Sequence, residues 1–333
     1  MRALVITKHG GPDVLAVQDR PVPDRPLGGQ VLIDVRAAGL NFAEVMARMG
    51  LYPDAPKPPC VVGYEVAGTI AAVGPGVDDV SPGDRVMAGV QFGGHAEQVV
   101  AKAADVVPLP DELSFEEGAA IPVNYSTAWA GLVRYGNLQP GERVLIHAAA
   151  GGVGIAATQI AKRHGAEVYG TASPSKHQAI LGFGVDHAVD YRREGWERDL
   201  PRFDLIMDAV GGRSFRLSYN LLRAGGRLVC FGASSVVSGA RRNYVTAVRS
   251  ILRMPRFNLV KQMSESKAVI GLNMLTLWKE AGTLDPWIEP LRELMEDGTI
   301  APVVAESFPF ARAADAHRMM AERRNVGKIV LTP

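Results

Sequence analysis

Between Glu142 and Gly154 an apolar run, Val144 to His147, gives way to a glycine-rich turn, Ala149-Ala150-Gly151-Gly152-Val153-Gly154, and then to a helical pattern. Glycine at 151 lets the backbone come close to a pyrophosphate. Glycine at 154 lets helix and strand pack tightly, and the free N–H groups at the helix start attract negative charge. A glycine triplet alone is weak, but one that follows a strand and opens a helix is a dinucleotide-binding fingerprint with Ala149 in its first position. Ala149, Gly151, Gly152, Val153 and Gly154 are therefore candidate cofactor-binding residues. The alternative is a turn with a purely structural role.

The next strand decides which dinucleotide. An NAD site places Asp or Glu some 20 residues on, to bind the ribose hydroxyls. Here that strand ends Gly170-Thr171-Ala172-Ser173-Pro174-Ser175-Lys176 and offers no acid. Hydroxyls at 173 and 175 with a lysine at 176 suit the hydrogen bonding and charge of a 2′-phosphate. Ser173 and Lys176 are thus expected to favour NADPH over NADH, although Lys176 also reads as an ordinary solvated lysine at a helix start.

Positioning these residues takes more than one domain. A chain of 333 residues is long enough for two cores. Up to about Pro122, short β-like runs alternate with Gly and Pro: Ala3 to Thr7, Gln30 to Ala38, Val61 to Val73, Asp84 to Ala88 and Ala96 to Ala101. They predict a twisted, mostly antiparallel β domain. From Asn124 the rhythm changes. Strands at Val144 to His147, Glu167 to Thr171, Leu205 to Asp208 and Arg227 to Gly232 alternate with helical patterns, clearest over Val153 to His164 and Ser214 to Leu222. That alternation predicts a parallel sheet covered by helices, the doubly wound Rossmann arrangement. The tail reads as helix (Trp287 to Asp297), strand (Val303 to Pro309), helix (Arg312 to Glu322) and strand (Lys328 to Leu331). It is expected to return to the first domain, giving residues 1–123 with 275–333 as one unit and 124–274 as the other.

The remaining signals exclude more than they assign. A net charge of +1 creates no global field for nucleic acid, and no nucleic-acid motif is present. The two cysteines, Cys60 and Cys230, stand far apart and read as small buried hydrophobes. The first residues are broken by Lys8 and Gly10-Gly11-Pro12 before a signal-peptide core could form, so a cytoplasmic protein is expected. The uncharged stretch from Val144 to Ala161 has the length of a membrane span, but His147, Gln159 and its glycines argue against one.

Gly39-Leu-Asn-Phe-Ala-Glu44, Gly63-Tyr-Glu-Val-Ala-Gly68, Gly83-Asp-Arg-Val86, Asn124-Tyr-Ser-Thr-Ala-Trp129, Ala148 to Gly154 and Asn325-Val-Gly-Lys328 together resemble the medium-chain dehydrogenases/reductases. Within that superfamily the chain is similar to the quinone oxidoreductases, and to the branch of the vesicle amine transport protein homologues, which share Arg48-Met-Gly-Leu-Tyr52 and Tyr219-Asn-Leu-Leu222. The resemblance runs end to end. It implies a GroES-like substrate domain beside the Rossmann domain, and a homodimer joined through a strand at 268–273.

Zinc-dependent members of the superfamily carry a Cys near position 41, a His in the Gly-His-Glu motif and a Cys near position 124. Here Asn41, Tyr64 and Asn124 stand there, so the ligands that a catalytic zinc uses are gone and no metal is expected. The cysteine lobe of a structural zinc is missing too, and His95 reads as a surface or packing residue. Without a Lewis acid, reducing a simple ketone forfeits several kcal/mol of charge stabilisation. A quinone or α,β-unsaturated carbonyl is easier, because hydride addition leaves a delocalised charge. The resemblance implies that Asn41, Tyr52 and Thr127 line the cleft around nicotinamide and substrate, although Tyr52 could instead pack as an aromatic and Asn41 could equally cap a helix from Phe42. It also implies that Tyr191 sits beside the adenosine phosphate, and that Phe231, Gly232, Ser234 and Asn325 sit near the nicotinamide or pyrophosphate. Met46 stands where some quinone reductases have a tyrosine, so their substrate range does not transfer.

One stretch stands outside this scheme. Arg241, Arg242, Arg249, Arg253, Arg256 and Lys261 interleave with Val245, Val248, Ile251, Leu252, Met254 and Phe257. It reads as a solvated helix face with an ordinary core side, with a substrate flap or contact with an anionic membrane surface as alternatives. The sequence thus points to an NADPH-dependent quinone or enone reductase. The second reading is an NADPH-binding protein of low turnover that acts through membrane or partner contact.

Overall fold

The computed structural model describes residues 1–237, 239–240 and 244–333. In its first third, β1 (Arg2–Ile6) pairs antiparallel with β2 (Leu15–Asp19). β3 (Gln30–Leu40) leads into α1 (Phe42–Met49), and β4 (Cys60–Val61) closes the other edge of β1. β5 (Glu65–Val73), β6 (Arg85–Gly89), β7 (Gln98–Lys102) and β8 (Val106–Pro108) follow, then the short α2 (Phe115–Gly118) and α3 (Pro122–Trp129). The run expected as one strand from Val61 to Val73 is therefore two strands in different sheets. Gly63 breaks it at φ +109°, a conformation open to glycine, where a Cβ would lie 2.6 Å from the His95 backbone.

The second half alternates as expected. β9 (Arg143–Ile146), α4 (Gly152–Arg163), β10 (Glu167–Ala172), α5 (His177–Gly182), β11 (His187–Asp190), β12 (Phe203–Asp208), α6 (Arg213–Leu221) and β13 (Leu222–Cys230) come first. α7 (Tyr244–Leu252), α8 (Leu259–Glu265) and β14 (Ala268–Gly271) complete a six-stranded parallel sheet in the order β11-β10-β9-β12-β13-β14. Val144, Leu145 and Ile146 are fully buried, as is most of β12, because helices cover both faces. The uncharged stretch is thus a buried strand, a turn and a helix. Among the described residues no helix is long and apolar enough to cross a membrane.

α9 (Met274–Ala281), α10 (Asp285–Glu296), β15 (Val304–Pro309), α11 (Ala313–Ala321) and β16 (Lys328–Thr332) form the tail. As expected it returns to the first part: β16 pairs antiparallel with the end of β3 and parallel with β15. The mixed sheet runs β15-β16-β3-β5-β6-β8, with β7 on the first half of β3. The ends of β3 and β16 therefore lie side by side and face the glycine-rich turn, and Gly327 N–H donates to Ala150 C=O. That junction builds the site.

Candidate active site

A cleft of about 1250 Å³ runs between the parallel sheet and the mixed sheet. Gly151, Gly152, Val153 and Gly154 line it at the start of α4, with Ser173, Lys176, Tyr191, Phe231, Gly232, Ser234 and Asn325 along the same wall. Asn41, Tyr52 and Thr127 line it from the other side. Ala149 is the exception: its side chain is buried in the core, against Gly170. Ala148 takes its place in the wall, at φ +55°.

The glycines are required by close approach. A Cβ on Gly154 would strike the Ala148 carbonyl oxygen, and one on Gly152 would strike the Asn124 side chain. Asn124 is buried, with Nδ2 donating to Ala120 C=O at 2.9 Å, so it supports the turn from below. Near the end of β10, Lys176, Arg192, Arg193 and Arg323 line the cleft with the Ser173 and Tyr191 side chains. Lys176 Nζ donates to the carbonyls of Arg323 (2.7 Å) and Asn325 (2.6 Å), which ties the parallel sheet to the loop before β16. It is therefore not a freely solvated lysine. Burial, and then Arg192, hold its pKa below the ordinary lysine value, an arrangement that an incoming phosphate would relieve. These residues fit a phosphorylated dinucleotide.

Behind the turn is a polar network that sequence reading missed. His147, Thr171, Asp208 and Ser218 are all buried, at the carboxyl ends of β9, β10 and β12 and on α6. Ser218 donates to Asp208 Oδ2 (2.7 Å), which leaves its oxygen to accept from His147 Nε2–H (3.0 Å). His147 Nδ1 must then accept from Thr171 Oγ1 (3.2 Å), and that oxygen accepts the Ala148 N–H (3.2 Å). Neutral histidine satisfies every partner. Burial lowers the His147 pKa, against the opposing pull of Asp208, and so favours that neutral form. The network pins the left-handed Ala148 that opens the turn.

The opposite half of the cleft is aromatic and apolar. Tyr52 and Tyr64 meet edge to face with centroids 6.5 Å apart, and Tyr64 also packs on Phe92. Burial, then Asp54, pushes the Tyr52 hydroxyl up to about 12, so it is a neutral donor at physiological pH. Burial likewise holds Tyr64 well above the ordinary phenol range. Phe42, Met46, Leu272, Met274 and Trp278 extend an apolar wall, and Asp105 anchors Trp278 Nε1 at 3.0 Å.

At its base lies a second group that sequence reading missed: Glu44, Glu65 and Lys328, around Asn41. All three are buried. Lys328 Nζ donates to Asn41 Oδ1 (2.6 Å) and to Glu65 Oε1. Glu65 Oε1 also accepts from Asn41 Nδ2 (3.0 Å), and Oε2 accepts the Val123 N–H in the first turn of α3 (2.7 Å). Glu44 Oε2 accepts the Asn41 N–H (2.6 Å), so Asn41 is the helix N-cap as well as a cleft residue. Burial raises the Glu44 pKa to about 8 in spite of Lys328. The only sequence signal was that Glu44, Glu65 and Lys328 each sit in a family motif.

Among the described residues no three His, Cys, Asp or Glu side chains could share a metal ion. His95 is buried, with Nε2 3.3 Å from Gly39 C=O, and burial lowers its pKa to about 4. Both cysteines are half-buried rather than core residues, and Cys230 lines the cleft. The basic stretch also departs from expectation. Arg241 and Arg242 lie outside the described residues. In α7 and α8, Ala247 and Ser250 turn inward, while Val245, Val248, Ile251, Leu252, Leu259, Val260 and Met263 are exposed beside Arg249, Arg253 and Lys261.

Fold and cleft together define a Rossmann-type oxidoreductase with a GroES-like second sheet. Residues 28–111 match the alcohol dehydrogenase GroES-like domain, and residues 183–331 match the zinc-binding dehydrogenase domain. The human synaptic vesicle membrane protein VAT-1 homolog is 38% identical over 340 residues, which span 100% of this chain and 86% of that protein. The Escherichia coli quinone oxidoreductase complexed with NADPH superposes with a TM-score of 0.85 at 30% identity, covering 100% of both chains. The CurK enoyl reductase superposes at 0.86 with 28% identity, over 99% of this chain and 98% of that one. The chain belongs to the VAT-1 homologue branch of the zinc-free medium-chain dehydrogenases/reductases.

Proposed function

We propose that this protein is an NADPH-dependent reductase of quinones or α,β-unsaturated carbonyls that works without zinc. One observation carries the reading: a single cleft joins a glycine-rich helix start and a cluster of cations, with no acid at the end of β10, to an apolar chamber holding neutral hydrogen-bond donors. The two units are residues 124–274, which would bind the cofactor, and residues 1–123 with 275–333, which would bind the acceptor. The N–H groups at the start of α4 would hold the pyrophosphate. Ser173, Lys176 and Tyr191 would hold the adenosine phosphate end, and Phe231, Gly232, Ser234 and Asn325 the nicotinamide side.

The cofactor, when bound, supplies the hydride. Thr127 would orient the carboxamide. Tyr52 donates a hydrogen bond toward the charge that develops on the acceptor oxygen. The hydrogen bond from Asn41 Nδ2 to Glu44 Oε1 is long, at 3.4 Å, and is the one for which an acceptor oxygen competes best. No side chain in this scheme must itself give up a proton, so solvent supplies it. NADPH oxidation against a panel of quinones and enones tests the reading, and absence of turnover with every acceptor would overturn it.

The exposed apolar residues of α7 and α8 support a second element of the proposal. They precede β14, which among the described residues is paired on one side only, to β13. A homodimer through that edge strand would cover both features. Sedimentation of the purified protein checks it: a monomer that binds anionic vesicles would favour the membrane-contact reading instead.

A further inference from the structure

Lys328 opens β16 with its side chain 3% exposed, and the residue forms part of the cleft wall. Burying this ammonium with Glu65 gains little stability in itself, because desolvating both charges costs several kcal/mol that an apolar pair would not incur. The local consequence of the pair is specific. An ammonium has no lone pair to offer, so Asn41 must turn Oδ1 toward Lys328. The amide then sends Nδ2 to Glu65 Oε1 at 3.0 Å and to Glu44 Oε1 at 3.4 Å. Without Lys328 the amide could flip, exchanging donor for acceptor on the cleft side.

The groups facing the ammonium are few. Glu65 comes from β5, Asn41 and Glu44 from the start of α1, and Val123 N–H from α3 reaches the far oxygen of Glu65. His95 also feels the charge, and both burial and Lys328 act to keep it neutral. The ammonium therefore lies one hydrogen bond away from an amide in the cleft wall.

We propose that Lys328, held by Glu65, is a positioning residue for the reduction: it locks the Asn41 amide in the orientation that serves the acceptor. This rests on the proposed role of Asn41, so the test includes a readout independent of turnover. Four variants are compared with the parent: Lys328→Met, Lys328→Arg, Glu65→Gln, and Lys328→Met with Glu65→Gln. Melting temperature, NADPH affinity by fluorescence, kcat and KM with 1,4-naphthoquinone, and the Asn41 side-chain amide signals in 1H–15N spectra are recorded for each, with Asn41→Asp to assign the signals.

In Lys328→Met, kcat should fall at least tenfold, while KM and NADPH affinity stay within about threefold. The Asn41 amide signals should shift and their hydrogens exchange at least tenfold faster. Lys328→Arg should regain a substantial part of kcat. The double variant removes both charges, so it should recover the melting temperature lost in either single variant and still turn over slowly. If the double variant also recovers kcat, Lys328 merely neutralises Glu65 and the proposal is wrong. Unchanged Asn41 signals in the double variant would overturn it as well. If the parent reduces no acceptor, the proposed function fails, and the amide signals still decide the role of Lys328.

Discussion

Replacing Glu44 by Gln removes one ionisable group from the cluster beneath the cleft and keeps an acceptor for the Asn41 N–H, since Gln serves in a capping box as Glu does. Burial, opposed by Lys328, raises the Glu44 pKa from 4.5 to about 8. Between these values the unfolded chain has lost this proton and the folded protein keeps it. Folding therefore takes up a proton, and stability falls as pH rises through that window, levelling off above about 8. At about 1.4 kcal/mol per pKa unit, the window sets a ceiling of roughly 5 kcal/mol for the loss. Sharing of charge among Glu44, Glu65 and Lys328 reduces it, and about 2 kcal/mol is the expected size. For a cooperative unit of 150–250 residues that is roughly 4 to 8 °C in Tm. Thermal unfolding of both proteins from pH 5 to pH 8 is the assay. The two should melt together near pH 5, and Glu44→Gln should melt higher near pH 8. Parallel profiles, or a constant deficit in the variant, would refute the argument, because Glu44 would then be ionised in the folded protein at neutral pH.

Lys176→Ala should weaken NADPH at least tenfold, about 1.4 kcal/mol, and leave NADH nearly unchanged; equal loss for both, by titration calorimetry, would mean that Lys176 only ties the Arg323 and Asn325 carbonyls. Purified protein should hold well under one zinc per chain by elemental analysis, and a chelator should leave its activity intact. Asn41→Ala combined with Tyr52→Phe should lower kcat/KM by about 10- to 1,000-fold, or 1.4 to 4 kcal/mol, with NADPH affinity close to the parent. Unchanged quinone reduction in that double variant would show that the two residues only cap and pack.

The cofactor half of the cleft was legible in the sequence because its chemistry is local. A glycine turn between an apolar strand and a helix suits the close approach of a pyrophosphate, and its spacing is written along thirteen consecutive residues, Glu142 to Gly154. The alternation of strands and helices after Asn124 was equally legible, since a sheet buried on both faces needs continuous apolar runs such as Val144 to Ile146. Finer points within these stretches needed coordinates. Ala149 occupies a fingerprint position yet packs into the core, because a left-handed Ala148 turns the chain just before it. Gly63 splits an apparently single strand between two sheets.

The half of the cleft around Asn41 is decided by partners far apart in the chain. Asn41 is half of a capping box by sequence, but its amide is oriented by Lys328, 287 residues away, through a contact that exists only because β16 pairs with the end of β3. His147 is a lone histidine by sequence, and Ser218, 71 residues on, completes the chain of hydrogen bonds that makes its neutral form the satisfied one. The outward face of α7 and α8 could not be read from periodicity, because apolar and basic residues alternate there in a pattern that an ordinary half-buried helix also shows. Sequence determines what is written in neighbouring residues, and burial and long-range pairing decide charge state, amide orientation and which face meets water.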